Sequence, residues 1–404
     1  MNMNKTVAGR DVSVPREWDR RGLPGWCYHS PEFLKLEAQH VFLTHWQVVC
    51  HVSDVPNAGD YHTLDMCGER ALVLRGEDGE LRAFRNMCRH RGSRVVPHAA
   101  GSCKGALVCP FHGWTYNLDG TLRGPSRPKS FPDFDRKTMG LKPLELEVWQ
   151  GFVLVRFRPG PQPSVAELMQ PFAEEIAPYG AAGMVPTIGM ETCVSPVNWK
   201  SVRDVDNEGY HVAMAHPALQ DLYGAAYYDE PLVNGVNRSH GAYNAGAGRR
   251  WSVSAYRRIA PEATHLPEQQ RKAWVYYGLF PNAVFVFMPE TVQFYQEFPR
   301  SVNETLLRSA SYRHATESRA QRLSRYLHSR IERDTSAEDV QLTIWSNEAL
   351  QSAEFEGFYL SDLEYGLKAF HDQIRRLVPV STLQQRPLEE SVATLNADLL
   401  AARS

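Results

Sequence analysis

The chain has 404 residues, 43% hydrophobic and 22% charged. At about 150 residues per domain this is enough for more than one domain and a buried core. Lys and Arg total 44 against 46 Asp and Glu, a net charge of −2, which excludes attachment to nucleic acid or a membrane surface by bulk charge.

Residues 1–30, with Gly22, Pro24 and Gly25, read as an irregular lead-in without an apolar signal region. Ser30-Pro31-Glu32 then opens a helix carrying Phe33, Leu36, Val41 and Phe42. From Trp46 the pattern changes to short strand-like runs at 47–52, 70–75, 81–86 and 151–156, parted by Gly and Asp turns. Residues 45–158 therefore read as one all-β domain. The Pro-rich stretch 159–164 is a boundary. Beyond it the chain is α+β, with strands at 275–280 and 283–288 and helices at about 317–333, 336–352 and 361–377. The expected division is 1–44, a lead-in and helix packing on the catalytic part, then 45–158, then 159–404. No 18-residue apolar run occurs, and seven cysteines, an odd number, suit a reducing compartment. A cytoplasmic protein is expected.

Two constellations carry the chemistry. The first is Cys88-x-His90, eighteen intervening residues, then Cys109-x-x-His112. Each half puts a thiolate and an imidazole on one tight loop, a donor set that suits zinc or an iron–sulfur cluster. The leading Cys-x₂₋₄-Cys of most zinc fingers is absent. With the flanks Arg91-Gly92, Pro110-Phe111, Gly113-Trp114-Thr115-Tyr116 and Leu118-Asp119-Gly120, residues 45–158 closely resemble a Rieske [2Fe–2S] domain. The resemblance puts Cys88 and Cys109 on one iron and His90 and His112 on the other, which raises the potential above that of an all-Cys cluster. The other five cysteines read as structural or free thiols.

The second constellation is Glu208, His211 and His216. Glu208 and His211 are three apart and share a helical face. His211 and His216 are five apart, about 140° around a regular helix. Pro217 disfavours α geometry at His216 and should let its ring swing back. Two His and a carboxylate with open positions form the facial triad of non-haem Fe(II) oxygenases. The run Asn198-Trp199-Lys200, Tyr210-His211, His216 resembles the catalytic domain of Rieske non-haem iron oxygenases, so the resemblance spans nearly the whole chain. It implies an α+β catalytic domain with an antiparallel sheet flanked by helices. It also puts the third ligand on a late helix, at Asp339 within Ser336-Ala337-Glu338-Asp339, with Glu338 and Asp334 as alternatives. Ser336 can cap a helix with Asp339 at its third position, so a helix-start carboxylate is the plainer reading of the same residues. His371 reads as structural.

The resemblance implies further that O₂ is a co-substrate. No Gly-x-Gly-x-x-Gly is present, so NAD(P)H acts only through a separate flavin and iron–sulfur reductase. Electrons would cross between neighbouring subunits of a homotrimer. Members such as naphthalene dioxygenase carry Asp three residues before the first His ligand. Here the position is Glu208, as in carnitine monooxygenase, and the resemblance makes it the link from His112 of one subunit to His211 of the next. Asp204 replaces the family's usual Asn and is expected to support a ligand from behind. Glu208 and the overall likeness point to oxygenases of choline, glycine betaine, carnitine and proline betaine, a proline betaine (stachydrine) demethylase above all. Such enzymes hydroxylate an N-methyl group and release formaldehyde and the demethylated amine. The aromatics of the second half, Tyr223, Tyr227, Tyr256, Trp274, Tyr276 and Tyr295 among them, can cage a quaternary ammonium or sandwich an arene. A ring-hydroxylating dioxygenase of arenes is the alternative; a Rieske electron carrier without mononuclear iron is the other.

Overall fold

The computed structural model describes residues 2–7, 10–15, 18–246, 248–352, 354–388 and 391–403. The lead-in is less irregular than expected. Asn2–Val7 and Arg10–Pro15 pair as an antiparallel hairpin, in keeping with the polar–apolar alternation of Asp11-Val12-Ser13-Val14. Ser30 caps the helix Pro31–Glu37 by accepting from the Phe33 N–H, and a π turn, Ala38–Phe42, extends it. This helix is held to the second half of the chain by a wholly buried ion pair. Lys200 Nζ lies 2.7 Å from Glu37 Oε1 with both side chains at 0% exposure.

The described residues of the all-β part form three sheets. One has the strand order Leu81–Arg85, Glu69–Arg75, Asp60–Met66, Ala100–Ser102. A second is small and built from Leu107–Val108, Thr115–Tyr116 and Leu122–Gly124. A third sheet joins Gln47–His51 to Phe152–Arg156 and Glu145–Trp149. Its residues Trp46, Val48, Trp149, Phe152 and Leu154 share one core with Val275, Tyr277, Phe285, Phe287 and Phe294 of the second half.

The second half is built on a seven-stranded antiparallel sheet. From Tyr227–Val233 the strands follow in chain order to Glu304–Arg313, and Val185–Ser195 pairs on the far edge. Strand alternation gives it two faces. Val275, Tyr277, Phe285, Phe287 and Phe294 enter the core just described. Trp274, Val284, Val286 and Met288 face the opposite way, against Leu327 and Ile331 of a long helix.

That helix, Arg319–Ala349, runs unbroken for 31 residues where two helices parted at 333–336 were expected. Its N-terminus is capped at Ser318, in a reciprocal arrangement with Gln321. Ser336 caps nothing and lies mid-helix. Thr335 and Thr343 bond back to the carbonyls of Ile331 and Asp339, so these hydroxyls are satisfied inside the helix rather than ending it. Two further helices follow, Tyr365–Leu377 and Val392–Ala401, the second not anticipated. Among the described residues no helix is long and apolar enough to cross a membrane.

Candidate metal centres

The first constellation forms two matched loops. Cys88 N–H donates to Ser93 O and Gly92 N–H to Cys88 O; Cys109 N–H donates to Trp114 O and Gly113 N–H to Cys109 O. Gly92 and Gly113 both sit at positive φ, +74° and +69°, where a side chain would be strained. The loops bring the His90 and His112 rings to 4.7 Å, while Cys88 and Cys109 are close enough to share a hydrogen bond. His90 stacks on Trp114 at 5.0 Å, and its Nδ1 is buried with no hydrogen-bond partner among the described residues. Two buried thiols facing two imidazoles, with a nitrogen lone pair left unclaimed, fit a [2Fe–2S] cluster ligated by Cys₂His₂. Tyr116, quoted in the sequence only as a flank, takes part. Its hydroxyl accepts from Arg89 N–H at 2.9 Å and so can donate to Cys88 Sγ at 3.3 Å.

The second constellation is held by a helix–break–helix segment. Asn198 caps the helix Trp199–Asp206 and bonds Tyr28 O and Val302 O; its N–H and the Ser201 hydroxyl both donate to Asn347 near the end of the long helix. The helix then stops before Glu208, which corrects the shared helical face expected for Glu208 and His211. Asp229 takes the Gly209 N–H at 2.7 Å, and a Cβ on Gly209 would meet the Tyr227 ring at 2.0 Å. Glu208 instead acts across the break. Its Oε1 lies 2.5 Å from His211 Nδ1 and its Oε2 accepts from His211 N–H at 3.1 Å. His216, ahead of Pro217, leaves the helical region at φ −117°, ψ 81°.

The consequence is convergence. His211 Nε2 lies 3.1 Å from His216 Nε2, and Asp339 Oδ1 lies 2.9 Å from His216 Nε2 and 3.7 Å from His211 Nε2. Three ligands at right angles around one ion, each about 2.1 Å away, would stand about 3 Å apart. Glu338 Oε2 lies 2.9 Å from His216 Nδ1 and so plays for His216 the part Glu208 plays for His211. With both Nδ1 protons engaged by carboxylates, both Nε2 atoms present lone pairs inward. Apart from these two imidazoles, Asp339 Oδ1 is buried with no hydrogen-bond partner among the described residues. Three electron-rich atoms this close repel one another unless a cation lies between them, so the donor set fits a divalent metal. Burial disfavours charge on His211 and His216, yet Glu208 for the first, and Asp339 and Glu338 for the second, outweigh it and hold both above the ordinary imidazole range. Glu338→Ala is expected to free the His216 ring and weaken metal affinity about tenfold, measured by competition with a chelator.

Asp204 does not support a metal ligand. Its carboxylate accepts from Tyr28 OH at 2.6 Å and lies 3.0 Å from His371 Nε2, on the side facing the N-terminal segment. His371 also accepts from Leu23 N–H. Asp206, two residues on and about 200° around the helix, is the one turned to the site. Burial pushes it up to about 6, Arg203 opposes this and Asp339 adds to it, while Tyr295 OH donates to it at 3.2 Å. Asp334 lies five residues before Asp339 and is not among the three converging groups. All seven cysteines are free thiols, five of them apart from the converging loops.

Comparison with known families agrees with both centres. The model of the Rieske [2Fe–2S] domain matches residues 45–135, and that of the ring hydroxylating alpha subunit catalytic domain matches residues 187–379. The chain belongs to the Rieske non-haem iron oxygenases. This Rieske oxygenase chain is 34% identical over 227 residues to the glycine betaine monooxygenase oxygenase subunit of Chromohalobacter salexigens, a match covering 55% of this chain and 50% of the relative. The chain thus spans about half the length of the curated relatives it matches. A solved quaternary ammonium Rieske monooxygenase, described for carnitine oxidation and inter-subunit electron transfer, superposes with TM-score 0.74 at 23% identity, covering 88% of this chain and 95% of that one. Naphthalene 1,2-dioxygenase from Rhodococcus sp. gives 0.71 at 17% identity, over 88% and 94%. The fold is common to both chemistries and does not separate them.

Proposed function

We propose that the chain is the oxygenase component of a two-centre monooxygenase that removes an N-methyl group from a quaternary ammonium compound. The observation that carries this reading is the His211, His216 and Asp339 pocket with its unpartnered carboxylate oxygen, set among carboxylates and phenols. The glycine betaine and carnitine activities named for its relatives support the substrate class. Proline betaine is the specific substrate we propose.

Residues 45–158 would store electrons and residues 159–404 would do the chemistry, with residues 1–44 packed on the latter. Cys88, His90, Cys109 and His112 would hold the cluster, and His211, His216 and Asp339 a mononuclear Fe(II). When bound, these groups supply single electrons and activation of O₂. The protein's part is to fix geometry. Glu208 and Glu338 hold the two imidazoles in the tautomer that faces the metal. Glu208 keeps lone pairs beyond those it gives to His211. We assign it to bridge to His112 of a neighbouring copy, whose loop carries a part-exposed His112 beside Phe111, 54% exposed. Such head-to-tail contacts close in a ring, of which a homotrimer is the simplest case. A separate flavin and iron–sulfur reductase would bring electrons from NAD(P)H. In the overall balance, O₂, two electrons and two protons put one oxygen atom into an N–CH₃ group and release the other as water. The hemiaminal then breaks its C–N bond to give formaldehyde and the amine. A cytoplasmic location suits seven free cysteines.

Anaerobically reduced enzyme given one exposure to O₂ tests this. The panel is proline betaine, glycine betaine, carnitine, choline and simple arenes, with formaldehyde and hydroxylated product as readouts. Formaldehyde matched by one demethylated amine is the expected result. A cis-diol from an arene without formaldehyde would move the chain to the dihydroxylating branch.

A further inference from the structure

A second acidic cluster lies two turns before Asp339 on the long helix. Glu332 Oε2 accepts from His328 Nε2 at 2.8 Å, and Glu332 Oε1 accepts from Gln293 Nε2. His328 Nδ1 lies 3.8 Å from Glu290 Oε1, which accepts from Tyr256 OH at 2.9 Å. Tyr256 OH in turn accepts from Trp274 Nε1 at 2.8 Å and pairs with Tyr243 OH at 2.7 Å. His328 and Glu290 are each 2% exposed. Neither metal centre uses any of these groups.

The cluster and the metal pocket lie against the same face of the sheet, Glu332 at Gln293 and Asp206 at Tyr295, two residues apart on one strand. Glu332 and Asp339 are seven residues apart, so they lie on the same side of the helix and about 10 Å apart along it. Facing them is the sheet surface with Tyr276, Gln293 and Tyr295. These three keep accessible surface although Trp274, Val284, Val286 and Met288 on the same face are buried. Glu332 and Asp339 are themselves 29% and 30% exposed. Burial pushes the Tyr276 phenol up, and Glu332, Asp206 and Asp339 each push it further, so one side chain feels the metal ligand and the cluster together. Part-exposed carboxylates and phenols thus flank one helix–sheet seam, with Glu332 on Gln293 at one point and Asp206 on Tyr295 at another.

Its charge is negative. Two carboxylates, Glu290 and Glu332, face one imidazole, His328, so the two acids outnumber the one base. Arg325 is already paired with Glu317, Arg203 with Glu297 and Asp206, and Arg330 lies over the Trp251 ring. A trimethylammonium group that extends from the metal ligands along this seam would come under the charge of Glu332.

We propose that Glu332, clamped by His328 and Gln293, is the counter-charge that seats the cationic nitrogen of the substrate. This rests on the quaternary-ammonium reading above. It makes Glu332 a specificity-determining residue that acts on binding rather than on the reaction step.

The test is Glu332→Gln, which keeps the shape and removes the charge, in iron-loaded enzyme with its cluster intact. Calorimetry would measure binding of tetramethylammonium and of uncharged neopentyl alcohol, alongside KM and kcat for the ammonium substrate of the wild type. Tetramethylammonium affinity is expected to fall, and KM to rise, by about tenfold. Neopentyl alcohol binding, kcat, iron content and the cluster spectrum should stay as in wild type, and Glu332→Asp should recover part of the loss. Tetramethylammonium affinity within about twofold of wild type would overturn the proposal. A wild type that binds tetramethylammonium no better than neopentyl alcohol would overturn it without any variant. A wild type that demethylates no quaternary ammonium compound would instead defeat the functional reading, and the proposal with it.

Discussion

Asp339→Ala is expected to abolish turnover while leaving the cluster spectrum intact. Asp339 supplies the only carboxylate oxygen among the three converging donor atoms, and that oxygen has no other partner among the described residues. Removing it leaves two imidazoles, too few ligands and too little charge to retain a divalent metal against water. Glu338 is adjacent but already engaged at His216 Nδ1, so it is poorly placed to take over. Metal analysis of the purified variant should find only the iron of the cluster. Iron content equal to wild type would show that another carboxylate, Glu338 or Asp334, is the ligand.

Glu208→Gln is expected to keep both metals and to slow electron transfer between them by about 10–100-fold, the usual cost of losing a carboxylate behind a metal-bound imidazole. The carboxylate holds His211 through Nδ1 and through the backbone N–H. An amide of the same size has one acceptor oxygen in place of two and carries no charge, so it cannot serve two imidazoles equally. Rapid mixing of reduced enzyme with O₂ and substrate reads the oxidation rate of the cluster. An unchanged rate would restrict Glu208 to positioning His211 within one subunit.

The two centres were legible in the sequence to different depths. The Cys88 to His112 quartet is read directly because each half is a tight loop whose geometry its own residues fix, down to the glycines at 92 and 113. His211 and His216 are legible through Pro217, a local constraint on His216. Asp339 came from family likeness, and the local reading around it failed. Ser336 and Thr335 suggest a helix start, but packing of Leu327 and Ile331 against the sheet carries the helix through them. Asp204 is the residue expected from sequence, and Asp206, two residues on, is not. Only the rotation of the helix against Tyr28 and His371 turns the first away and the second inward. The break at Glu208 depends on Asp229, twenty residues on. The Glu332 cluster is hidden for the same reason, because it joins a helix to strands that are distant in sequence. What remained illegible was every partnership made across the sheet.

The central claim is that one chain carries both a cluster and a catalytic iron. Iron and acid-labile sulfide counted on the same reconstituted sample test it most directly. The account predicts about three irons and about two sulfides per chain, with the third iron lost from His211→Ala while the cluster spectrum stays unchanged. About two irons and two sulfides per chain, unaltered by His211→Ala, would contradict it and leave an electron carrier.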